Sequence, residues 1–265
     1  MDSDTLKIIQ ISDTHLFAQD GQSLLGVPTQ ESLDAVIESI KREAGAFDMV
    51  IHSGDLTQDY ARLSYIRVAE MVSQLNAPIY CVPGNHDDPK LMADVYPHER
   101  MMNDKHILHK TWQIILLDSH KHHAVYGYLA DKELAHLEHC LSSYPNHHAL
   151  IVFHHQPMPV GSRWLDELGL QNADDFWKLV TRFKNVKTVL FGHVHQVFEQ
   201  EVHGVKCYSA PSTCFQFKRH QDEFGIEKLS PGFRWIHLHE DGRIETGVIR
   251  VDHYVGEFEG QSKGY

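Results

Sequence analysis

The sequence predicts a layered α/β domain built on a mixed sheet or a pair of sheets. Short apolar, β-branched runs alternate with longer amphipathic runs over the first two thirds of the chain. Two hairpin patterns occupy the last third. Strand and helix patterns in alternation, followed by hairpins, are typical of helices that pack on sheets within one domain.

The first part of the chain supplies three strands and two helices. A strand is predicted at residues 6–11, followed by a helix at 29–44 whose apolar residues recur at helical spacing. A second strand at 48–52 precedes a helix at 61–75, and a third strand follows at 78–82.

The same alternation continues through the middle of the chain and then changes to hairpins. Strands are predicted at 112–117, 149–153 and 188–191, with helices at 131–141 and 173–183. The first hairpin pairs 197–202 with 205–208 around His203-Gly204. The second pairs 234–239 with 244–250 around Asp241-Gly242, a dipeptide that favours the positive φ of tight hairpin turns.

Composition excludes several classes of protein. Hydrophobic residues make up 42% and charged residues 23% of the chain, which excludes a disordered protein. No apolar run approaches the roughly 18 residues that a membrane span requires. The acidic start Met1-Asp2-Ser3-Asp4 lacks a signal-peptide pattern, so we expect a cytoplasmic protein. The net charge of −12 argues against nucleic acid or anionic membranes as partners.

The chain is predicted to form one domain at residues 1–250, because no repeat, low-complexity segment or linker divides it. Residues 251–265, which become Gly-rich from 255 onward, are expected to form a flexible C-terminal tail. The four cysteines are widely spaced and form no CxxC pair, which predicts reduced thiols. The oligomeric state stays open between a monomer and a homodimer.

Polar residues suited to metal binding follow five of the predicted strands. They form the motifs Asp13-Thr14-His15, Gly54-Asp55, Gly84-Asn85-His86-Asp87, His154-His155-Gln156-Pro157 and Gly192-His193-Val194-His195. The crevice beyond the carboxyl ends of strands is where open α/β sheets bind ligands. Glycines at 54, 84 and 192 permit the tight turns and close backbone approach that such a rim requires.

These ligand types predict a site for two metal ions. The motifs together offer more ligands than one metal ion needs, and imidazole and carboxylate groups without thiolates favour Fe, Mn, Zn or Co. Two metals about 3.5–4 Å apart form the clamp used in phosphoester hydrolysis, where they activate a hydroxide near neutral pH. The metal charge also lets a protein of net charge −12 hold an anionic substrate.

The five motifs, taken together, resemble those of the calcineurin-like metallophosphoesterase family over about residues 8–210. The resemblance implies a four-layer α/ββ/α sandwich with two mixed sheets flanked by helices. It also implies two divalent or mixed-valence metal ions per chain, Fe and/or Mn, with Zn or Co as alternatives. Asp13, His15, Asp55 and His195 would hold the first ion, and the bridging Asp55 with Asn85, His154 and His193 the second.

The resemblance also implies how substrate is held and where protons move. His86 matches an outer-sphere histidine that contacts the scissile phosphate and acts as the catalytic residue. The substrate-binding residues would be His15, Asp55, Asn85, His86 and His195. Segments around Leu16, Leu24, Ser162-Arg163-Trp164 and Pro211 to Lys218 are similar to class III bacterial 3′,5′-cyclic-AMP phosphodiesterases. That likeness implies hydrolysis of cyclic AMP to 5′-AMP.

Several alternatives stay open at this point. His155 competes with His154 as the metal ligand, although His154 comes first after the apolar run. Asp59 is either a further acidic site residue or a helix cap. Trp164, Phe215 and Phe217 either stack on a purine or pack in the core. The substrate could be cyclic GMP or another phosphodiester, such as a 2′,3′-cyclic nucleotide or a glycerophosphodiester, and a non-catalytic scaffold is a third reading.

Overall fold

A computed structural model describes residues 5–253 and contains two large mixed sheets. The helices are α1 (Thr29–Glu43), α2 (Arg62–Val72), α3 (Pro89–Val95), α4 (Asp131–Ser143), α5 (Arg163–Asp166) and α6 (Ala173–Val180). The strands are β1 (Thr5–Ile11), β2 (Ser23–Leu24), β3 (Val27–Pro28), β4 (Met49–His52), β5 (Ile79–Cys81), β6 (His106–His109), β7 (Trp112–Leu116), β8 (His148–Val152), β9 (Val186–Phe191), β10 (Phe198–Val202), β11 (Val205–Ser209), β12 (Gln216–Phe217), β13 (Ile226–Glu227), β14 (Gly232–His239) and β15 (Ile244–Arg250).

Each large sheet joins a run of parallel strands to antiparallel strands, at one side in the first sheet and at both sides in the second. The first sheet has the order β15-β14-β1-β4-β5, in which β1, β4 and β5 run parallel. The second has the order β10-β11-β9-β8-β7-β6, in which the four inner strands run parallel. The parallel centres bring the carboxyl ends of several strands to one edge of each sheet.

Three apolar layers separate the sheets and helices, which gives the four-layer sandwich expected above. Alternate residues of one strand enter different layers, since successive strand side chains point to opposite faces. Ile8 of β1 packs between the two sheets with Leu150 of β8, whereas Ile9 packs toward α1 and α2. Ile151 of β8 packs on the other side, toward α4 and α6.

The predicted elements are confirmed, with small changes at their ends. The second predicted helix ends as α2 at Val72 and continues as a 3-10 turn at Ser73–Leu75. Seven short elements were missed, namely α3, α5, β2, β3, β6, β12 and β13. Helix α3 spans seven residues, too few to show a helical repeat, and the Asp88 side chain caps it by accepting from the amides of Lys90 and Leu91.

The domain boundary and the tail stay predictions. Val251 is buried and donates its amide to the Pro231 carbonyl at 3.0 Å, whereas the predicted tail from residue 254 onward lies outside the described residues. All four cysteines are free thiols, and Cys140, Cys207 and Cys214 are buried. Within residues 5–253, no helix combines the length and apolar content needed to cross a membrane.

Arg234 joins the two sheets from a fully buried position. Its Nε donates to the Ser209 carbonyl at 2.9 Å, and its Nη1 donates to Glu199 at 2.9 Å and to Thr246 at 3.0 Å. The guanidinium also lies over the Tyr208 ring, 5.0 Å from its centroid.

We expect Arg234→Ala to lower the free energy of unfolding by about 2–4 kcal/mol, because it leaves a cavity and an unpaired buried carbonyl. Chemical denaturation measures this change. Arg243→Ala is the control, since Arg243 pairs with Glu245 on the exposed surface and its loss should change stability by less than about 1 kcal/mol. Equal effects from the two variants would contradict the assigned role of Arg234.

Candidate metal centre and active site

Five strand ends bring the predicted metal ligands into one buried cluster. Asp13 and His15 follow β1, Asp55 follows β4, Asn85 and His86 follow β5, His154 follows β8, and His193 and His195 follow β9. The loops are tied to one another through main-chain hydrogen bonds. The amide of Asp13 donates to the Gly54 carbonyl at 3.0 Å, and that of Gly192 donates to the His154 carbonyl at 2.9 Å.

The potential ligand atoms face each other at short range. The Nε2 atom of His154 is 3.3 Å from Asp55 Oδ2 and 4.0 Å from Asp13 Oδ1. The Nε2 atom of His195 is 3.5 Å from Asp13 Oδ1 and 3.2 Å from His15 Nε2. One ligand atom from each of Asp13, His15, Asp55 and His195 lies within 4.8 Å of every other.

Hydrogen bonds on Nδ1 fix the ring orientation of these histidines. An imidazole that donates from Nδ1 keeps a free lone pair on Nε2, the form that binds metal ions. The partners are Gln58 Oε1 for His15 at 2.8 Å, the Ser53 carbonyl for His154 at 2.8 Å, the Phe215 carbonyl for His195 at 3.0 Å and Asn85 Oδ1 for His193 at 2.9 Å.

The neighbouring His155 differs because both of its ring nitrogens have other partners. Its Nε2 donates to the Val125 carbonyl at 3.0 Å, and its Nδ1 accepts from the Ser119 hydroxyl at 2.8 Å. A neutral imidazole has one donor and one acceptor, so no lone pair is left for a metal. His155 lies with His154 and His193 in a second group of nearby nitrogens, but this bonding favours His154 as the ligand.

The backbone of the cluster is held in an uncommon conformation. Five candidate ligands have positive φ, with values of 56° at Asp13, 46° at His15, 53° at Asp55, 66° at His193 and 44° at His195. Residues with a Cβ rarely adopt this region, and such conformations concentrate at functional sites where the surrounding structure enforces them.

Four buried polar atoms at the centre of the cluster lack a hydrogen-bond partner. They are Asp13 Oδ2, Asp55 Oδ2, His154 Nε2 and His193 Nε2. A buried polar atom without a partner is costly, and here oxygen and nitrogen lone pairs converge on the same space. Because cations satisfy such atoms, the residues present fit two metal ions.

The protonation states reflect burial and the two carboxylates. Burial raises the pKa of Asp13 to about 7 and lowers the pKa values of His15 and His193 to about 3. Burial alone would lower the pKa of His154, but the Asp55 and Asp13 carboxylates raise it to about 9. The two carboxylates therefore favour a positive charge at the point where they meet, which a metal ion held by His154 would supply.

His86 and Asp87 have different tasks beside this cluster. The His86 amide donates to Asp55 Oδ1 at 2.8 Å, and its ring lies 5.1 Å from the His15 ring, between centroids. The buried Asp87 carboxylate accepts from the amides of Gly84, Leu56 and Thr57, at 2.9, 3.1 and 3.2 Å. Asp87 therefore holds the two loops together, a role that the sequence reasoning missed.

Asp59, Phe215 and Phe217 make structural contacts beside the ligand cluster. The Asp59 carboxylate accepts from the amides of Ala18 and Ala61 and from the Ser64 hydroxyl, so it organises the start of α2. Phe215 and Phe217 are fully buried and pack in the core, which leaves no free face there for a purine.

Gly84 is required by close approach to Asp55. A Cβ at this position would collide with the Asp55 carboxylate and amide. We expect Gly84→Ala to displace the carboxylate and to lower catalytic turnover roughly 100-fold, the scale of an ångström-sized misplacement.

Steady-state kinetics and bound-metal content measure the effect of Gly84→Ala. Gly225→Ala is the control, because a Cβ there meets only the flexible Lys218 side chain at 3.3 Å. Normal turnover in Gly84→Ala would contradict this geometry.

Comparisons with known proteins agree with this geometry. A family model described as calcineurin-like phosphoesterase matches residues 6–197. The protein called 3′,5′-cyclic adenosine monophosphate phosphodiesterase CpdA from Vibrio vulnificus (strain CMCP6) is 40% identical, covering 95% of this chain and 92% of that protein. The protein of the same name from Pseudomonas aeruginosa is 37% identical, covering 97% and 94%.

A solved structure shows the same fold. The dimetal phosphatase from Danio rerio matches with a TM-score of 0.64 at 14% identity, covering 94% of this chain and 100% of that chain. At this identity the likeness concerns the fold alone.

Proposed function

The chain belongs to the calcineurin-like phosphoesterase family, and on that premise we propose that it hydrolyses 3′,5′-cyclic AMP to 5′-AMP. The observation that carries the proposal is the buried cluster of unpartnered carboxylate and imidazole atoms at the strand ends. Two relatives named as cyclic-AMP phosphodiesterases, which align over more than nine tenths of both chains, support the choice of substrate.

The cluster divides into two sets of ligands that share one carboxylate. We assign Asp13, His15, Asp55 and His195 to the first metal ion. Asp55, Asn85, His154 and His193 are assigned to the second. The N-rich ligand set favours Fe or Mn over Mg. When bound, two such ions would polarise the phosphoryl oxygens and supply a hydroxide nucleophile near neutral pH.

The protein residues position the cyclic phosphate and complete the proton transfer. We assign binding of the cyclic phosphate to His15, Asp55, Asn85, His86 and His195. One water molecule is consumed: its hydroxide bonds to phosphorus while the bond from phosphorus to the 3′ oxygen breaks. His86 donates a proton to that leaving oxygen and regains one from the water, so that no net change remains on the enzyme.

A metal-depletion experiment tests the proposal. Protein stripped with a chelator should lose turnover of cyclic AMP, and Mn²⁺ or Fe²⁺ should restore 5′-AMP formation more readily than Mg²⁺. An aryl phosphodiester is assayed beside cyclic AMP. Hydrolysis of the aryl ester alone would contradict the proposed substrate but would agree with the metal-dependent mechanism. Activity that survives metal removal would contradict both the substrate proposal and that mechanism.

A further inference from the structure

Four aromatic residues form a continuous group between the metal cluster and the surface. This aromatic group consists of Trp164, Phe215, Phe217 and Phe224. Trp164 of α5 lies 4.9 Å from Phe217 and 5.3 Å from Phe224, between ring centroids. Phe215 and Phe217 are fully buried, whereas Trp164 and Phe224 are partly exposed.

The inner members of the aromatic group hold the ring of His195. Phe217 stacks on it at 4.3 Å between centroids, with planes 22° apart, and Phe215 lies at 4.7 Å on a 40° tilt. Phe215 also lies 6.1 Å from the His15 ring, nearly parallel to it. Both histidines belong to the ligand set assigned to the first metal ion.

The backbone of the same segment is bonded to the same ligands. The Phe215 carbonyl accepts from His195 Nδ1 at 3.0 Å, and the Phe217 amide donates to the His195 carbonyl at 3.3 Å. The Ser212 hydroxyl donates to the Asp13 carbonyl at 2.9 Å. These contacts come from residues 212–217, which lie beyond the last residue matched by the family model.

The ligands assigned to the second metal ion have different neighbours from those of the first. His154 packs against His193 and His155, with ring centroids 5.1 and 4.9 Å apart. Its Nδ1 bonds to the Ser53 carbonyl, in the loop after β4. Residues 212–217 therefore bond to ligands assigned to the first ion, whereas the loop after β4 orients His154. One direct link joins the two sets, since the His193 amide donates to Asp13 Oδ1 at 3.1 Å.

We propose that Phe217 is a positioning residue that sets the affinity of the first metal site and leaves the second nearly unchanged. The stacked ring restricts His195 to the rotamer in which Nε2 faces Asp13, while the main chain fixes its Nδ1. Loss of a group that orients a metal ligand typically costs about 10–100-fold in metal affinity. This inference rests on the proposed two-metal function.

Metal binding to the full-length protein tests the proposal without reference to turnover. Chelator-stripped wild type, Phe217→Leu and Phe217→Ala are titrated with Mn²⁺ by equilibrium dialysis and electron paramagnetic resonance. We expect one equivalent to bind about 10–100-fold more weakly in the Phe217 variants and the other to change less than about twofold. His15→Ala and His193→Ala identify the equivalent, since each removes a ligand from one site.

A matched core substitution separates positioning from general destabilisation. Phe233→Leu changes a fully buried phenylalanine that packs on the other sheet with Ile9 and Val251, and should keep both affinities. Phe217 variants that bind both equivalents as tightly as Phe233→Leu would overturn the inference, as would equal weakening of both sites. A wild-type chain that binds fewer than two equivalents would instead contradict the proposed function.

Discussion

Replacing His86 by alanine is expected to lower kcat for cyclic AMP about 10²–10⁴-fold, the contribution typical of a general acid. Both metal ions should remain bound. The contact of residue 86 with Asp55 comes from its main-chain amide, which alanine retains. Only the imidazole, which would protonate the leaving oxygen, is removed. Steady-state kinetics at saturating Mn²⁺, together with metal analysis of the purified protein, measures both quantities.

His122→Ala is the matched control for the His86 variant. His122 is exposed in the histidine-rich loop after β7, so its loss should change kcat less than about twofold. Unchanged turnover in His86→Ala would remove this residue from the mechanism. Loss of bound metal in His86→Ala would show that it acts through the ligands rather than on substrate.

Asp55→Asn is expected to release both metal ions and to lower turnover at least about 10³-fold, since metal ions supply several kcal/mol to such reactions. Asp55 is shared between the two proposed ligand sets. Its Oδ2 lies 3.3 Å from His154 Nε2, while its Oδ1 accepts from the His86 amide. The amide of asparagine carries no charge to hold two cations together. Metal content and kcat are measured on the same preparation.

Asp59→Asn is the matched control, because it removes the same negative charge at a position away from the metal ligands. Asp59 organises the loop before α2 through the amides of Ala18 and Ala61, so both metals should stay bound in this variant. Loss of only one equivalent in Asp55→Asn would argue against a bridging role. Equal losses of bound metal in the two variants would indicate an effect of net charge rather than a specific role of the Asp55 carboxylate.

Much of the fold was predictable because local patterns agree with burial. Strands such as β1, β4 and β8 read as short apolar runs since both of their faces are covered. Helix α3 and strand β6 were missed because seven and four residues are too few to show a repeat. The start of α3 depends on the Asp88 cap, and β6 depends on its pairing with β7.

The location of the candidate site was also predictable, whereas the groups that orient its ligands were not. Polar motifs after successive parallel strands meet at one edge, which brought Asp13, Asp55 and His154 together as expected. The groups that orient the ligands come from distant or ordinary positions, such as Gln58 and the carbonyl of Phe215. The distinction between His154 and His155 depends on tertiary contacts that no local pattern contains.

Isotope incorporation tests the central claim most directly. Mn²⁺-loaded protein is incubated with 3′,5′-cyclic AMP in water enriched in ¹⁸O, and the product is analysed by mass spectrometry. Attack of water on phosphorus with expulsion of the 3′ oxygen predicts 5′-AMP that carries a single ¹⁸O atom on its phosphate. Unreacted cyclic AMP, or 3′-AMP as the product, would contradict the account.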